Sequence, residues 1–175
     1  METFVHVEHS AWREEELGLL SLDATACIYD DHTDARQQVG RTRGYLVRTY
    51  YTDQGWNDAY DAADSASGDV AAIISTVKSQ VSDDLVDKLF ILDKITVEKE
   101  CRNQGIGRQF IKKLVTDLEF IGIDLVALTP GYYSDALTDE EMQKNNRLVR
   151  LYGQLGFEMM DVGEGQTPIM LKWLR

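Results

Sequence analysis

The chain has 175 residues, of which 43% are hydrophobic, and its formal net charge at pH 7 is −12. This composition predicts one domain, residues 1–175, with enough apolar side chains for its own core. The negative charge disfavours nucleic acid and anionic membranes as partners and favours cationic ones, including amines. Plain solubility explains the charge equally well.

The two cysteines, Cys27 and Cys101, lack the spacing of metal ligands. This cysteine usage suits a reducing compartment and predicts a cytoplasmic protein. Residues 1–10 lack a basic start and a long apolar run, so no signal peptide is predicted. No apolar run reaches the length of a membrane span. His6 and His9 have no third ligand nearby, so no metal is predicted.

Alternating apolar and polar residues mark the first part of the chain as β-structure. Residues 20–28 alternate as a half-buried strand does. Residues 39–51, rich in β-branched and aromatic side chains, predict a second long strand, and residues 3–9 predict a short strand before both. Because only the polar turn 30–37 separates the two long strands, they should form an antiparallel hairpin.

Two helices are predicted next, at 56–66 and 69–78, with a break at Ser67 and Gly68. This segment is rich in aspartate, at Asp53, Asp58, Asp61, Asp64 and Asp69. An acidic helical surface beside a sheet would suit a cationic acceptor. A solvated helix face is the alternative, and we prefer it for this segment.

Residues 89–118 predict a strand, a polar loop and a long amphipathic helix. By the two-residue period, one face of the strand carries Leu89, Ile91, Asp93, Ile95 and Val97. Apolar residues of the helix recur with the 3.6-residue period, at Ile106, Phe110, Ile111, Leu114, Val115 and Leu118. The helix therefore buries one side.

The loop at residues 102–107 reads Arg-Asn-Gln-Gly-Ile-Gly and places two glycines where this helix begins. A helix N-terminus presents unpaired N–H groups, glycines let an anion approach them, and Arg102 and Arg108 add charge. The loop thus predicts a site for a pyrophosphate-sized anion. A helix start that needs backbone freedom is the plainer alternative. A dinucleotide loop is excluded because it needs glycine at Phe110, and a P-loop because G-K-[ST] is missing.

The rest of the chain predicts a strand, a helix and two more strands. Residues 124–129 are a short apolar strand, parallel to the previous one through a right-handed crossover. Residues 132–141 are a loop long enough to be a lid. The helix and the last two strands are predicted at 141–154, 157–162 and 168–174.

Two motifs stand in a characteristic order. Arg102-x-x-Gly105-x-Gly107 follows a strand that ends at Val97, and residues 145–157 read NNRLVRLYGQLGF. They resemble the Q/R-x-x-G-x-G/A and N-x-x-A-x-x-L-Y-x-x-L-G-F motifs of the GNAT superfamily of N-acetyltransferases, with Leu148 in place of the alanine. The resemblance covers about half of the chain.

The resemblance implies a single-domain α/β GNAT fold. Its mixed central sheet would be splayed in a V at Val97, where acetyl-CoA binds, with helices on both faces. It also implies two helices between the first two strands, which the turn 30–37 is too short to hold. The predicted helices come later in this chain, so the acceptor site of other members cannot be transferred.

The resemblance further implies transfer of an acetyl group from acetyl-CoA to an amine. The loop backbone would hold the pyrophosphate, and the exposed strand backbone would hold the pantetheine. The implied cofactor-binding residues are Ile95, Val97, Arg102, Asn103, Gln104, Gly105, Ile106, Gly107, Arg108 and Asn145. For Asn145, a helix-start cap is the alternative.

Tyr152 matches the position that protonates the departing thiolate, and it lies two helical turns after Asn145, on the same side. A phenol with a pKa near 10 can donate to a thiolate whose thiol has a pKa near 8.5. The alternative is that Tyr152 packs beside the cofactor.

Asp93 is the candidate base. A carboxylate among apolar neighbours has a raised pKa and can take a proton from an amine. An ion pair with a nearby lysine or arginine is an equal alternative. Tyr132, Tyr133 and Asp135 are weaker candidates for the base.

We therefore predict an acyl-CoA-dependent N-acetyltransferase that acts on a small amine or a protein amino group. A toxin-like enzyme acting on aminoacyl-tRNA is one alternative, which the negative charge disfavours. A non-catalytic CoA-binding or interaction module with the same fold is another. A homodimer through the last strand, with Met170 and Trp173 at an exposed edge, is an alternative to ordinary core packing of that strand.

Overall fold

The computed structural model describes most of the chain, and its residues fold around one mixed sheet. The described residues are 4–13, 19–29, 35–49, 55–81, 85–133, 136–163 and 167–174. The strands are β1 (His6–Arg13), β2 (Leu19–Tyr29), β3 (Arg36–Arg48), β4 (Lys88–Val97), β5 (Leu125–Leu128), β6 (Glu158–Met159) and β7 (Met170–Trp173). The helices are α1 (Trp56–Ala66), α2 (Gly68–Gln80), α3 (Ile106–Phe120) and α4 (Asp139–Gln154).

The seven described strands lie in the order β1-β2-β3-β4-β5-β7-β6. The predicted hairpin is confirmed, since β2 and β3 pair antiparallel from Leu19 opposite Val47 to Tyr29 opposite Arg36. The predicted parallel pairing is also confirmed, because β4 and β5 are parallel neighbours joined through α3. The two predicted helices at 56–78 are α1 and α2, so they follow β3 rather than β1.

Each face of the sheet is covered by its own helices. On one face, α1 and α2 share a core with Leu89 and Ile91 of β4, to which α2 contributes Val70, Ile74 and Val77. On the other face, α3 and α4 pack against Phe90 and Leu92, with the side chains of Phe110, Leu114 and Tyr152 in the same core. Fully burying such a side chain stabilises the fold by about 1.5–3 kcal/mol, so both faces contribute to the core.

The predicted face of β4 is wrong beyond Ile91. Leu92 is opposite Gly44 of β3 whereas Lys94 is opposite Arg43, so Asp93 is an extra residue in a β-bulge. A bulge reverses the alternation of side chains along a strand. As a result, Ile95 and Val97 pack on the α3 side with Phe90, not on the side of Leu89 and Ile91.

The splay of the sheet is present, but it opens earlier than the predicted Val97. β4 pairs with β5 from Leu89 opposite Leu125 to Leu92 opposite Leu128, and β5 then ends before Thr129 and Pro130. From Asp93 onward, β4 runs beside β3 with no described strand on its other side. Strand backbone is therefore exposed along the second half of β4.

The prediction of an exposed edge at the last strand is wrong for Met170. β7 lies between β5 and β6, and Met170 is buried opposite Met159 of β6. Ordinary core packing therefore explains this side chain, while the Trp173 side chain stays partly exposed. No helix formed by the described residues is long and apolar enough to cross a membrane.

Candidate functional site

Two cavities meet where β4 and β5 separate. The first, here called the α4 cavity, has a volume of about 490 Å³ and is bordered by the end of β4, the segment after β5 and α4. The second, the α2 cavity, has a volume of about 430 Å³ and is bordered by α2, the same segment and the residues before β7. Both are lined by Leu92, Asp93, Thr129, Gly131 and Tyr132.

Asp93 lies at the junction of the two cavities because the β-bulge places it there. Partial burial raises the pKa of this carboxyl group, and the negative charge of Asp69 adds to the rise. Arg43 and Lys94 oppose both effects by favouring the carboxylate. The raised pKa is as predicted, but its surroundings are charged as well as apolar.

The alternative role of Asp93 is that of an ion-pair partner, and Arg43 and Lys94 are the cations near enough to favour its carboxylate. None of the ion pairs among the described residues includes this carboxylate. Of the weaker candidates for a base, the Tyr133 hydroxyl donates to the carbonyl oxygen of Pro130 at 3.3 Å. Tyr132 lines both cavities and is 67% exposed. Asp135 lies outside the described residues.

Tyr152 is a buried wall residue of the α4 cavity. Its ring packs edge-to-face on Phe157, with the two ring centroids 5.6 Å apart. Burial raises the pKa of the Tyr152 phenol to about 12, so the hydroxyl stays protonated at neutral pH. A phenol in this state can donate a proton but cannot act as a base.

Asn145 lines the same cavity, two turns before Tyr152 on the inner side of α4. The alternative that it caps the helix is wrong, because α4 begins six residues earlier, at Asp139, and is capped by Thr138 in a capping box with Glu141. The Asn145 amide instead donates from Nδ2 to the carbonyl oxygen of Tyr132 at 2.6 Å.

The glycine loop begins α3 in the way the sequence predicted. Gly105 has the left-handed φ of 78° and directly precedes the first helical residue, Ile106. No side chain of the described residues caps this helix start. A Cβ atom added to Gly105 would meet no atom within 4 Å, so the space in front of the loop is open. The first N–H groups of α3 therefore face a space that an anion can enter.

The side chains of the loop brace it against the strand and α4. The Arg102 Nε donates to the Val97 carbonyl oxygen at 2.9 Å, and the Gln104 Nε2 donates to the Glu100 carbonyl oxygen at 2.9 Å. The Arg108 Nη1 donates to Gln154 Oε1 at 3.1 Å. Both guanidinium groups keep further N–H donors for an anion.

The remaining predicted residues of the loop differ in exposure. Asn103 is exposed and has the left-handed φ of 60°, Gly107 is half-buried beside the Val97 side chain, and Ile106 is buried in the core under α3. The contribution of Ile106 to an anion site is therefore limited to its backbone.

The backbone of β4 faces the opening at the two predicted positions. The Glu98 N–H donates to the Val39 carbonyl oxygen of β3 at 2.9 Å, which fixes the direction of the backbone groups along the strand. These groups alternate along a strand. The backbone groups of Ile95 and Val97 therefore point away from β3 and into the opening.

Several residues of the candidate site carry no distinguishing signal in the sequence. The sequence does not distinguish Asp69 from the four other aspartates of its acidic segment. Among the described members of that group, Asp69 alone lines the α2 cavity. Gln154 holds Arg108, and Gly131 and Thr129 line both cavities. The Pro130-Gly131 pair predicts the end of a strand, but the sequence does not indicate that Gly131 lines a cavity. The described residues contain no cluster of side chains that could hold a metal ion.

No protein-family model matches the sequence, and no curated protein matches it either. Solved structures do resemble the fold. A polyamine N-acetyltransferase of Drosophila melanogaster, which forms N-acetylagmatine, has a TM-score of 0.51 at 12% identity, over 86% of this chain and 74% of the other. An arylalkylamine N-acetyltransferase 2 from Aedes aegypti has a TM-score of 0.50 at 13% identity, over 86% of this chain and 73% of the other.

An agmatine N-acetyltransferase also matches, with a TM-score of 0.51 at 12% identity over 86% of this chain and 75% of the other. At such low identity, the likeness concerns the fold alone. The described part of the chain has an α/β fold of the GNAT type, with seven strands in one mixed sheet and helices on both faces.

Proposed function

We propose that this protein is an N-acetyltransferase that transfers an acetyl group from acetyl-CoA to a small amine. The observation that carries the proposal is that two cavities share Asp93 in their lining and that Tyr152 forms part of the wall of one of them. Acetyl transfer needs two adjoining compartments, because the thioester and the amine must reach one another away from bulk water.

The α4 cavity and the start of α3 together offer groups that acetyl-CoA would need. The N–H groups at the start of α3, with Arg102 and Arg108, would hold the pyrophosphate. The backbone of Ile95 and the N–H of Val97, whose carbonyl oxygen accepts from Arg102, would bond the pantetheine amides, as a neighbouring strand would. Acetyl-CoA would supply the acetyl group on a thioester, whose thiolate is the leaving group.

Asp93 and Tyr152 would handle the two protons of the reaction. Asp93, as a carboxylate, would accept the proton that the amine loses as it forms the amide bond. Tyr152 would donate its phenolic proton to the thiolate. Burial raises the pKa of Tyr152, but it also raises the pKa of a thiol held in the same cavity, so the donation stays feasible.

The α2 cavity would hold the amine. Its carboxylates, Asp69 and Asp93, and the rings of Tyr132 and Tyr133 favour a cation, by charge and by cation–π attraction. The proteins with the same fold act on polyamine, agmatine and arylalkylamine, which agrees with this chemistry. We propose an acceptor with one amine at Asp93 and a second cationic group at Asp69.

A panel of matched amines tests this proposal by measuring thiol release from acetyl-CoA. We expect kcat/KM for 1,4-diaminobutane to exceed that for butylamine by about tenfold, the effect of about 1.4 kcal/mol. Asp69→Asn should remove the difference, whereas Asp64→Asn, an exposed aspartate on α1, should keep it.

Three results would count against the proposal. An equal preference in both aspartate variants would contradict the role of Asp69. Release of CoA with no dependence on amine would contradict the reaction. Acetyl-CoA binding without turnover of any amine would favour the non-catalytic CoA-binding module instead.

A further inference from the structure

The segment Gly131–Tyr132 forms a wall between the two cavities. It follows β5 directly, after Thr129 and Pro130, and both of its residues line the α4 cavity and the α2 cavity. The Tyr132 side chain is 67% exposed, so core packing does not hold it. Whatever fixes this segment also fixes the passage between the cavities.

Asn145 makes the contact that holds the segment. Its side chain is 5% exposed, and its Nδ2 donates to the Tyr132 carbonyl oxygen at 2.6 Å. The donor comes from the middle of α4, a rigid element, and the acceptor is backbone of an irregular segment. Such a bond fixes the backbone of the segment without fixing the Tyr132 ring.

Gly131 is fitted to the same side chain. It has a φ of 123°, which disfavours any residue with a side chain. A Cβ atom added there would lie 2.2 Å from Asn145 Oδ1 and 2.8 Å from Asn145 Cγ. The amide of Asn145 therefore packs against the segment on its oxygen side and bonds to it on its nitrogen side.

We propose that Asn145 is a positioning residue that holds Gly131–Tyr132 as a partition between the two cavities, and that the Tyr132 ring selects the acceptor amine by size. The selection of the amine by Tyr132 rests on the proposed acetyl transfer, whereas the positioning of the segment by Asn145 does not. It gives Asn145 a role distinct from the direct contact with the cofactor arm that the family resemblance implies.

The position of the partition can be measured without any activity. Chymotrypsin cleaves after aromatic residues in segments that leave their folded position, so cleavage after Tyr132 and Tyr133 reports release of the partition. We expect Asn145→Ala to raise the rate of this cleavage several-fold in native buffer. Asn146→Ala, an exposed asparagine next to it on α4, should cleave as the wild type does.

Two further variants distinguish loss of the hydrogen bond from Asn145 to Tyr132 from loss of the volume of the Asn145 side chain. Asn145→Asp keeps the size of the side chain and removes the N–H donor, so it should also raise cleavage, and it serves if Asn145→Ala fails to fold. Gly131→Ala should raise cleavage by collision with the Asn145 amide. Its effect should be smaller in the Asn145→Ala background, where the colliding atoms are gone.

The selectivity for amines tests the role of Tyr132. We expect Tyr132→Ala and Asn145→Ala to raise the ratio of kcat/KM for phenylethylamine to that for ethylamine by about tenfold. Acetyl-CoA affinity is measured by calorimetry in both variants, which separates a change in amine selection from a change in cofactor binding.

Two results would contradict the positioning role of Asn145. Wild-type cleavage in both Asn145→Ala and Asn145→Asp would overturn the partition. Weakened acetyl-CoA binding with unchanged amine selectivity would overturn it too, and would assign Asn145 to the cofactor. If the wild type transfers acetyl to no amine, the proposed function fails and selection by Tyr132 fails with it, while the cleavage rates still decide whether Asn145 holds the segment.

Discussion

At the scale of single residues, Asp93 gives the clearest prediction, because its charge state should govern the rate. A general base works when deprotonated, so kcat/KM should rise with pH as Asp93 loses its proton. Burial and the charge of Asp69 raise the pKa of Asp93, so the rise should lie above the ordinary aspartate pKa of about 3.9. In Asp93→Asn this rise should disappear from the pH profile.

Substitutions of two neighbours of Asp93 should shift the pH at which kcat/KM rises, in opposite directions. Asp69→Asn removes a negative charge that raises the pKa of Asp93, so the rise should shift to lower pH. Arg43→Gln removes a positive charge that lowers this pKa, so the rise should shift to higher pH. If the midpoint is the same in wild type and in all three variants, Asp93 is not the base.

Tyr152 gives a prediction about the acid. Tyr152→Phe keeps the ring and its packing on Phe157 but removes the proton donor. We expect kcat to fall by about a hundredfold or more, the usual contribution of an acid–base group. The affinity for acetyl-CoA, measured by calorimetry, should not change. An unchanged kcat would leave Tyr152 with a packing role.

At the scale of elements, the start of α4 gives a stability prediction, because α4 carries both Asn145 and Tyr152. The Thr138 Oγ1 accepts from the Glu141 N–H at 3.3 Å, and Glu141 Oε2 accepts from the Thr138 N–H at 2.8 Å. Thr138→Ala should lower the free energy of unfolding in urea by about 1 kcal/mol. Ser67→Ala is the control, since Ser67 precedes α2 without a side-chain cap bond and should change nothing measurable.

The effect of Thr138→Ala should depend on pH. Hydrogen bonds from the Thr138 N–H and hydroxyl lower the pKa of Glu141. A lowered pKa stabilises the fold above the unfolded pKa, and that part is lost as pH falls through the folded value. The difference between variant and wild type should therefore shrink below about pH 4. Equal effects of Thr138→Ala and Ser67→Ala would contradict the capping box.

The elements were largely predictable from the sequence because their periodicity is local. Alternation located β2, β-branched and aromatic residues located β3, and the 3.6-residue period located α3. The bulge at Asp93 was not predictable, since it depends on which β3 residue faces which β4 residue. A one-residue shift moved Ile95 and Val97 to the opposite face, so the strand pattern alone could not place them.

At the scale of the whole molecule, sequence reasoning could predict the loop but not the cavities. The glycine loop is continuous in sequence, so its conformation follows from Gly105 and its neighbours. The cavities combine residues from α2, β4, α4 and the segment after β5, which are far apart in the chain. That is why Asp69 and Gly131 were not distinguished. A cytoplasmic location, a homodimer and the lack of nucleic acid partners stay predictions.

The net charge of −12 also bears on the site as a whole. Acetyl-CoA is an anion, so a protein with this charge needs a local region that attracts phosphate. The start of α3, with Arg102 and Arg108, is the region that we propose for this role. Everything else in the proposed reaction depends on acetyl-CoA binding at this loop, since Tyr152 and Asp93 would act only on a substrate held there.

The most direct measurement is acetyl-CoA binding by calorimetry for wild type, Gly105→Glu and Gly163→Glu. Both glycines have similar left-handed φ values, 78° and 80°, and an added Cβ meets no atom within 4 Å at either, so both variants carry the same strain and charge. We predict that wild type and Gly163→Glu bind acetyl-CoA and that folded Gly105→Glu binds at least about a hundredfold more weakly, from charge repulsion. Equal binding by the two variants, or none by folded wild type, would contradict a cofactor site at this loop.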